Sequence, residues 1–253
     1  MKRVLPWIIP VLILLFWQWG ASWGWISART LPAPLDVLKA FIRLVKSGEL
    51  MDHMQVSFER ASIGFAIGGG IGFLLGLVNG MFPVASRLLD STVQMIRNIP
   101  HLALIPLVIL WFGVGEEAKI FLVALGVMFP IYINTYHGIR QVDGSYIEMA
   151  KVYGLNTWEL FWHVILPGAL PSIFVGLRFA LGFMWLTLIV AETIAANAGI
   201  GYMAMNAREF MQTDVVVLGI LLYALLGKGA DVIAHLLEKS LLKWHPNFQK
   251  GGA

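Results

Sequence analysis

An all-α membrane bundle of about six transmembrane helices is the fold class this chain predicts, on three observations. Of 253 residues, 58% are hydrophobic and only 13% charged, against about 45–50% and about 25% in soluble domains. Mean hydropathy is +0.75. The apolar residues gather in continuous stretches of about 20, the length a helix needs to cross the hydrocarbon core, rather than alternating as barrel strands do. Backbone groups find no water partner in lipid, so stretches of this kind must be helices.

The spans are expected at residues 6–25, 60–82, 99–115, 118–139, 169–195 and 214–237, with residues 1–253 forming a single membrane domain. Met1-Lys2-Arg3 precedes the first apolar run, which continues from Val4 to Trp25. That run is longer than a signal-peptide core and lacks a small-x-small cleavage site, so it reads as a retained first helix. Residues 29–59 form the longest segment outside the membrane. After Leu31-Pro32-Ala33-Pro34, the residues Leu35, Leu38, Phe41, Ile42 and Val45 recur at helical spacing opposite Lys39, Arg43 and Lys46, which predicts an amphipathic connector helix. The second span carries Gly64, Gly68, Gly72, Gly76 and Gly80. A glycine at every fourth position is costly in a helix, and its use is a ridge against which another helix packs closely.

Orientation follows from the basic residues at the span ends. With both termini in the cytoplasm, Lys2, Arg3, Arg87, Arg97, Arg140, Lys151, Lys239, Lys243 and Lys250 share that side and outnumber its acids. The opposite side shows no basic excess. The chain has no cysteine, which excludes disulfides and thiolate metal sites, and its six histidines are scattered singly, so no metal cluster is expected. No basic run interleaved with aromatics suggests nucleic acid. No Ser-His-Asp or paired-carboxylate pattern suggests an enzyme.

Residues 140–167 form a loop far longer than a return to the membrane requires. Residues 145–153 suit a short helix, and Gly154 suits the left-handed residue that ends it. Asn156 and Glu159 have the spacing of a capping box opening a second helix; Pro167 and Pro171 bracket the start of the fifth span. A rigid helix–turn–helix outside the bilayer is a docking surface. Intramembrane charge is costly and marks candidates for function. Arg178 could attract an anion or anchor a helix through an ion pair, and Glu192 reads as structural or gating. Lys228 and Asp231 at i, i+3 read as a neutralising pair. Asn98 and His101, beside Pro100, suit capping and kinking, with ligand binding the alternative.

The run Glu148-Met149-Ala150, then Tyr153-Gly154-Leu155 and Leu166-Pro167 resembles the EAA signature of bacterial ABC importer permeases, with Met149 and Val164 departing from the usual letters. The stretches 97–113, 129–140, 178–192 and 199–214 are similar to the nitrate/sulfonate/taurine branch of that family, and most of all to permeases for aliphatic sulfonates. The resemblance implies the type I importer permease fold and a cytoplasmic coupling helix. It implies two copies of this chain in the bacterial inner membrane, two copies of an ABC ATPase, and a periplasmic substrate-binding protein. Among relatives, taurine, nitrate and thiamine precursors are the alternative cargoes. No G-x-x-x-x-G-K-[ST] loop occurs; Gly227-Lys228-Gly229 lacks the Ser or Thr. Nucleotide chemistry therefore lies on another polypeptide, with ATP and magnesium on the partner and no cofactor in this chain. An ion-gradient-driven secondary transporter is the rival class.

Overall fold

The computed structural model describes residues 5–27 and 29–244, and the expectations for Lys2, Arg3, Lys250 and the two termini lie outside them. Among the described residues all regular structure is helical. The chain runs α1 (Leu5–Ser22), α2 (Pro34–Ser47), α3 (Glu49–Met81), α4 (Pro83–Arg97), a 3₁₀ turn at His101–Leu104 and α5 (Ile105–Phe112). It continues through α6 (Glu116–Arg140), α7 (Gly144–Val152), α8 (Thr157–Leu160), a π turn at Phe161–Ile165, α9 (Leu166–Ala195), α10 (Ile200–Glu209) and α11 (Thr213–Leu241). Four helical segments are long and apolar enough to span: α3, α6, Thr157–Ile194 and α11. The bent pair α4–α5 would make a fifth, and α1 is a shorter apolar helix.

Three boundaries differ from those the sequence suggested. The third expected span, 99–115, holds the helical stretch His101–Phe112, which is long enough to span only together with α4, across a bend of 77°. Pro100 lacks an amide hydrogen and excludes its predecessor, Ile99, from the α region, so the helix stops before it. The second span starts at Glu49 rather than 60, because Gly48, at φ +84°, closes α2 and a new 33-residue helix begins immediately after it. At 1.5 Å per residue α3 is about 50 Å long, so it extends beyond the hydrocarbon and takes up about a third of the expected connector, residues 49–59. Finally, Pro167 and Pro171 lie within a helix instead of bracketing it. Proline at 167 removes a bond toward residue 163, and the π turn at 161–165 takes up the mismatch just ahead of it.

The chain forms two compact units. In the first, residues up to 59 together with 189–225, α2 buries Val37, Ala40 and Leu44 and exposes Leu35, Leu38 and Phe41. Its start is tied to α1 by the Leu35 amide, which donates to Gln18 Oε1 at 3.2 Å, and Arg43 pairs with Asp214 at 3.2 Å. In the second, residues 60–188 together with 226 onward, the glycine ridge lies along α6. A Cβ built on Gly68 would stand 2.1 Å from the Ala124 carbonyl oxygen, and one on Gly72 2.3 Å from that of Met128. At Gly64, Gly76 and Gly80 the nearest atoms belong to Val123, Thr135 and Ile139, at 2.6, 2.7 and 2.9 Å. The two backbones approach more closely than any side chain would permit. The buried Asn79 side chain donates to the Tyr132 hydroxyl at 2.8 Å in the same seam.

This seam separates glycines that carry packing from one that does not. Gly68→Ala should destabilise the detergent-solubilised protein by about 1–3 kcal/mol through overpacking. Gly70→Ala, where a Cβ meets nothing within 4 Å, should stabilise the helix by about 0.5–1 kcal/mol. Thermal unfolding of the two variants should therefore shift in opposite directions.

Candidate functional site

The segment 143–160 is built from local rules. Asp143 caps α7: its carboxylate accepts from the Ser145 amide at 2.9 Å and the Ser145 hydroxyl at 2.7 Å. These bonds, the amide's first, hold the Asp143 carboxyl below the usual carboxylate range. The cap is therefore complete at neutral pH and weakens only as acid protonates the carboxylate. At the other end of α7, Gly154 adopts φ +81°. Its amide donates to Lys151 O at 3.0 Å and the Leu155 amide to Ala150 O at 3.1 Å, the paired bonds of a Schellman turn. A Cβ at Gly154 would meet nothing within 4 Å, so glycine is required there by backbone conformation alone. Two residues on, Asn156 Oδ1 accepts from the Trp158 and Glu159 amides at 3.0 and 2.9 Å, and Glu159 Oε2 accepts from the Asn156 amide at 2.9 Å. This is the full capping box.

The side chains of this helix–turn–helix divide cleanly. Ala150 and Leu160 are buried and hold the segment to its own unit. Glu148 is exposed, as are Met149, Val152 at 87%, Tyr153 at 77% and Trp158 at 69%. Trp158 and Trp162 stand edge to face at 5.5 Å. Leu155, Leu166 and Pro167 are partly covered, the last two already inside α9. A pre-ordered surface carrying large exposed apolar groups is the form of an interaction site.

The intramembrane charges form three separate arrangements. In the first unit, Glu192 is 1% exposed. It accepts from Ser57 Oγ at 2.8 and 2.9 Å, from Tyr223 OH at 2.9 Å and from the Gly201 amide at 2.9 Å. Ser57 in turn accepts from the Ile200 amide at 2.9 Å, and His53 Nδ1 from the Gly199 amide at 3.1 Å. One carboxylate thus ties α3, α9, α10 and α11 together. In the second unit Arg178 donates to Asp231 Oδ1 at 2.9 and 3.1 Å and lies 3.8 Å from Glu238, while Lys228 holds the other Asp231 oxygen at 3.0 Å. Arg178 is therefore committed to an ion pair and does not present a free charge. Also in that unit, buried Arg60 forks onto Glu116, Nη2 to Oε1 at 2.7 Å, and Lys119 closes on Glu116 and the carbonyls of Val114 and Gly115.

His101 and Asn98 are placed apart. Asn98 ends α4 through its backbone and is exposed. His101 Nε2 contacts Thr187 Oγ1 at 3.2 Å and lines a cavity of about 390 Å³ with Arg97, Asn134, Phe129, Phe179 and Phe183. Sequence reasoning passed over Ser57, Tyr223 and Arg97. Ser57 and Tyr223 look ordinary in their helices, and only the fold brings them to Glu192. Arg97 was counted toward topology alone. Among the described residues no group of three or more His, Cys, Asp or Glu could hold a metal.

Comparison with known families places this all-helical chain with its exposed, doubly capped hairpin. Residues 68–243 match the family described as binding-protein-dependent transport system inner membrane component. The chain belongs to that family; it is a membrane permease subunit of an ABC transporter and not an enzyme, which sets aside the ion-gradient alternative. It is 64% identical, over 97% of its length and 94% of the relative's, to the aliphatic sulfonates transport permease protein SsuC of Escherichia coli K12. Identity is 44% to the Bacillus subtilis 168 SsuC protein, over 96% of this chain and 88% of that one. It is 34% to the taurine transport system permease protein TauC of Escherichia coli K12, over 95% and 89%. In fold the chain is similar to an amino acid ABC transporter crystallised with histidines, with TM-score 0.63, 17% identity, and 79% of this chain and 98% of that one covered. The inward-facing MetNI methionine transporter follows with TM-score 0.53, 20% identity, and 75% and 94% covered.

The Glu192 cluster yields a graded expectation. Glu192→Ala strands two hydroxyls and an amide, each unsatisfied group costing about 1–3 kcal/mol. Glu192→Gln keeps the shape and an acceptor, so thermal unfolding in detergent should show a large loss for alanine and a clearly smaller one for glutamine.

Proposed function

We propose that this chain is the permease of an importer for aliphatic sulfonates. It works as two copies in the inner membrane, receives substrate from a periplasmic binding protein, and is driven by two copies of an ABC ATPase that carry ATP and magnesium. Both termini and the 140–167 segment face the cytoplasm, and the 29–59 connector faces the periplasm. The observation that carries the reading is the hairpin at 143–160. Its two helices are capped at both ends of the turn, so the segment moves as a body. Glu148, Met149 and Tyr153 stand outward where an ATPase groove would receive them, while Gly154 and Leu155 fix the turn. Ala150 works from inside, as the anchor, and Leu166 and Pro167 lead the docked segment directly into α9. A helix continuous from Thr157 to Ile194 carries any displacement of the hairpin into the membrane as a rigid-body movement.

The cargo follows from relatives: the two SsuC proteins are named for aliphatic sulfonates, and taurine, carried by the third relative, is itself a sulfonate. The test is growth of a strain lacking only this chain on sulfate, taurine or an alkanesulfonate as sole sulfur source. Loss confined to the alkanesulfonate, restored by the intact gene, is expected. Unchanged growth on it, in a strain with no other such importer, would overturn the cargo. The docking role is tested by a matched pair. Asn and Asp both tolerate the left-handed conformation, so Gly154→Asn and Gly154→Asp fold alike, but only Asp adds charge to the surface. Uptake should survive in Gly154→Asn and fall at least tenfold in Gly154→Asp and in Glu148→Lys, with the chain still inserted. Full uptake in both charged variants would overturn it.

A further inference from the structure

We infer that the cavity beside the α4–α5 bend is a binding station for the sulfonate on its way through the membrane, with Arg97 holding the anionic head and an aromatic wall holding the alkyl tail. This rests on the sulfonate reading above. Four observations carry it. The cavity measures about 390 Å³ and includes no carboxylate in its lining, within the roughly 300–1,000 Å³ typical of small-molecule sites. Arg60 and Arg178 are paired, whereas Arg97, like Arg87 and Arg140, makes no ion pair among the described residues; of these three, Arg97 lines this cavity. An arginine in a last helical turn also complements the helix dipole, but that role leaves its planar fork of donors free, and the fork matches the oxygens of a tetrahedral anion.

The polar groups and the apolar wall are complementary in kind to one ligand class. His101 and Asn134 add hydrogen-bonding groups to the positive end, and Phe129, Phe179 and Phe183 supply the apolar side. Phe183 meets the His101 ring edge to face at 6.1 Å. At Gly126 the missing side chain leaves this wall its room, since a Cβ there would stand 2.7 Å from Thr187 Oγ1. The neighbouring cleft, which shares Phe179, contains Arg178 and Asp231, whose charges neutralise one another and do not repel an anion. The backbone at 98–100 is non-helical in the middle of an apolar pair. Broken backbone at membrane depth is tolerated only where it is buried in protein or lines a wet cavity, and the bend flanks this cavity between Arg97 and His101.

The test uses the full complex, permease with its ATPase and binding protein, in phosphatidylcholine vesicles, with radiolabelled methanesulfonate and pentanesulfonate. Intact complex should take up both. Arg97→Gln should lower uptake of both by about ten- to a hundredfold, the effect of one lost charge-assisted interaction, and Arg97→Lys should restore part of it. Phe179→Ala should lower pentanesulfonate uptake more than methanesulfonate uptake. Co-purification of the ATPase with each variant establishes that it is folded. Near-normal uptake of both sulfonates in Arg97→Gln and Phe179→Ala, with an active intact complex, would overturn the station and leave the cargo standing. An intact complex that carries neither sulfonate would overturn the cargo, and the station's ligand with it. If the Arg97→Gln defect requires phosphatidylglycerol in the vesicles and is absent in phosphatidylcholine, the arginine serves a lipid headgroup, and the station is likewise overturned.

Discussion

The constraint on which the rest depends is the absence of water as a hydrogen-bond partner within the bilayer. Every amide in the spans must be satisfied by the chain itself, so each helix runs until a residue forces it to stop. Those residues are few and identifiable. Pro100 ends α4 and turns the chain by 77°. Gly48 closes α2. Gly154, at φ +81°, closes α7 outside the membrane. The two proposed functional places lie at such interruptions. One leaves a cavity lined by an arginine with no ion pair among the described residues, and another fixes the angle of an exposed hairpin.

Within lipid the helices cannot be held together by apolar burial alone, because lipid is as apolar as their side chains. The chain uses two other devices. One is close backbone approach, with Gly68 and Gly72 set directly against carbonyl oxygens of α6. The other is buried polar bonding: Glu192 gathers donors from three other helices, and Asn79 reaches Tyr132. Two of the span arginines are neutralised in place, Arg178 by Asp231 and Arg60 by Glu116. Arg87, Arg97 and Arg140 have no acidic partner among the described residues, and of the three Arg97 lines the cavity at the bend.

The capped helix–turn–helix at 143–160 was largely legible in the sequence because its determinants are local. Asp143, Gly154, Asn156 and Glu159 act within four residues of themselves, so spacing alone locates helix, turn and helix. The glycine period likewise foretold a close seam, although not which helix would fill it. The third span was placed at the proline where its helix does begin, but the helix ahead of the bend, α4, was missed because its charged and polar residues interrupt the apolar run. The start of α3 was misplaced because a polar helical extension beyond the lipid looks like a connector. The partners of Glu192 were not legible: Ser57 lies 135 residues away, and nothing near it signals the contact. For Arg178 the sequence offered anion attraction or a helix-anchoring ion pair, and the fold supplied the ion pair with Asp231, a partner that spacing alone did not name.

The measurement that reaches the centre of this functional reading exploits the absence of cysteine, which makes any introduced thiol unique. With Tyr153→Cys in the assembled transporter, a short thiol cross-linker should join the permease to its ATPase. The same thiol should resist a membrane-impermeant reagent added outside intact cells and react once the cells are opened. Labelling from the outside, or a cross-linker that never captures the ATPase, would contradict the hairpin as the point at which ATP hydrolysis is passed to the membrane.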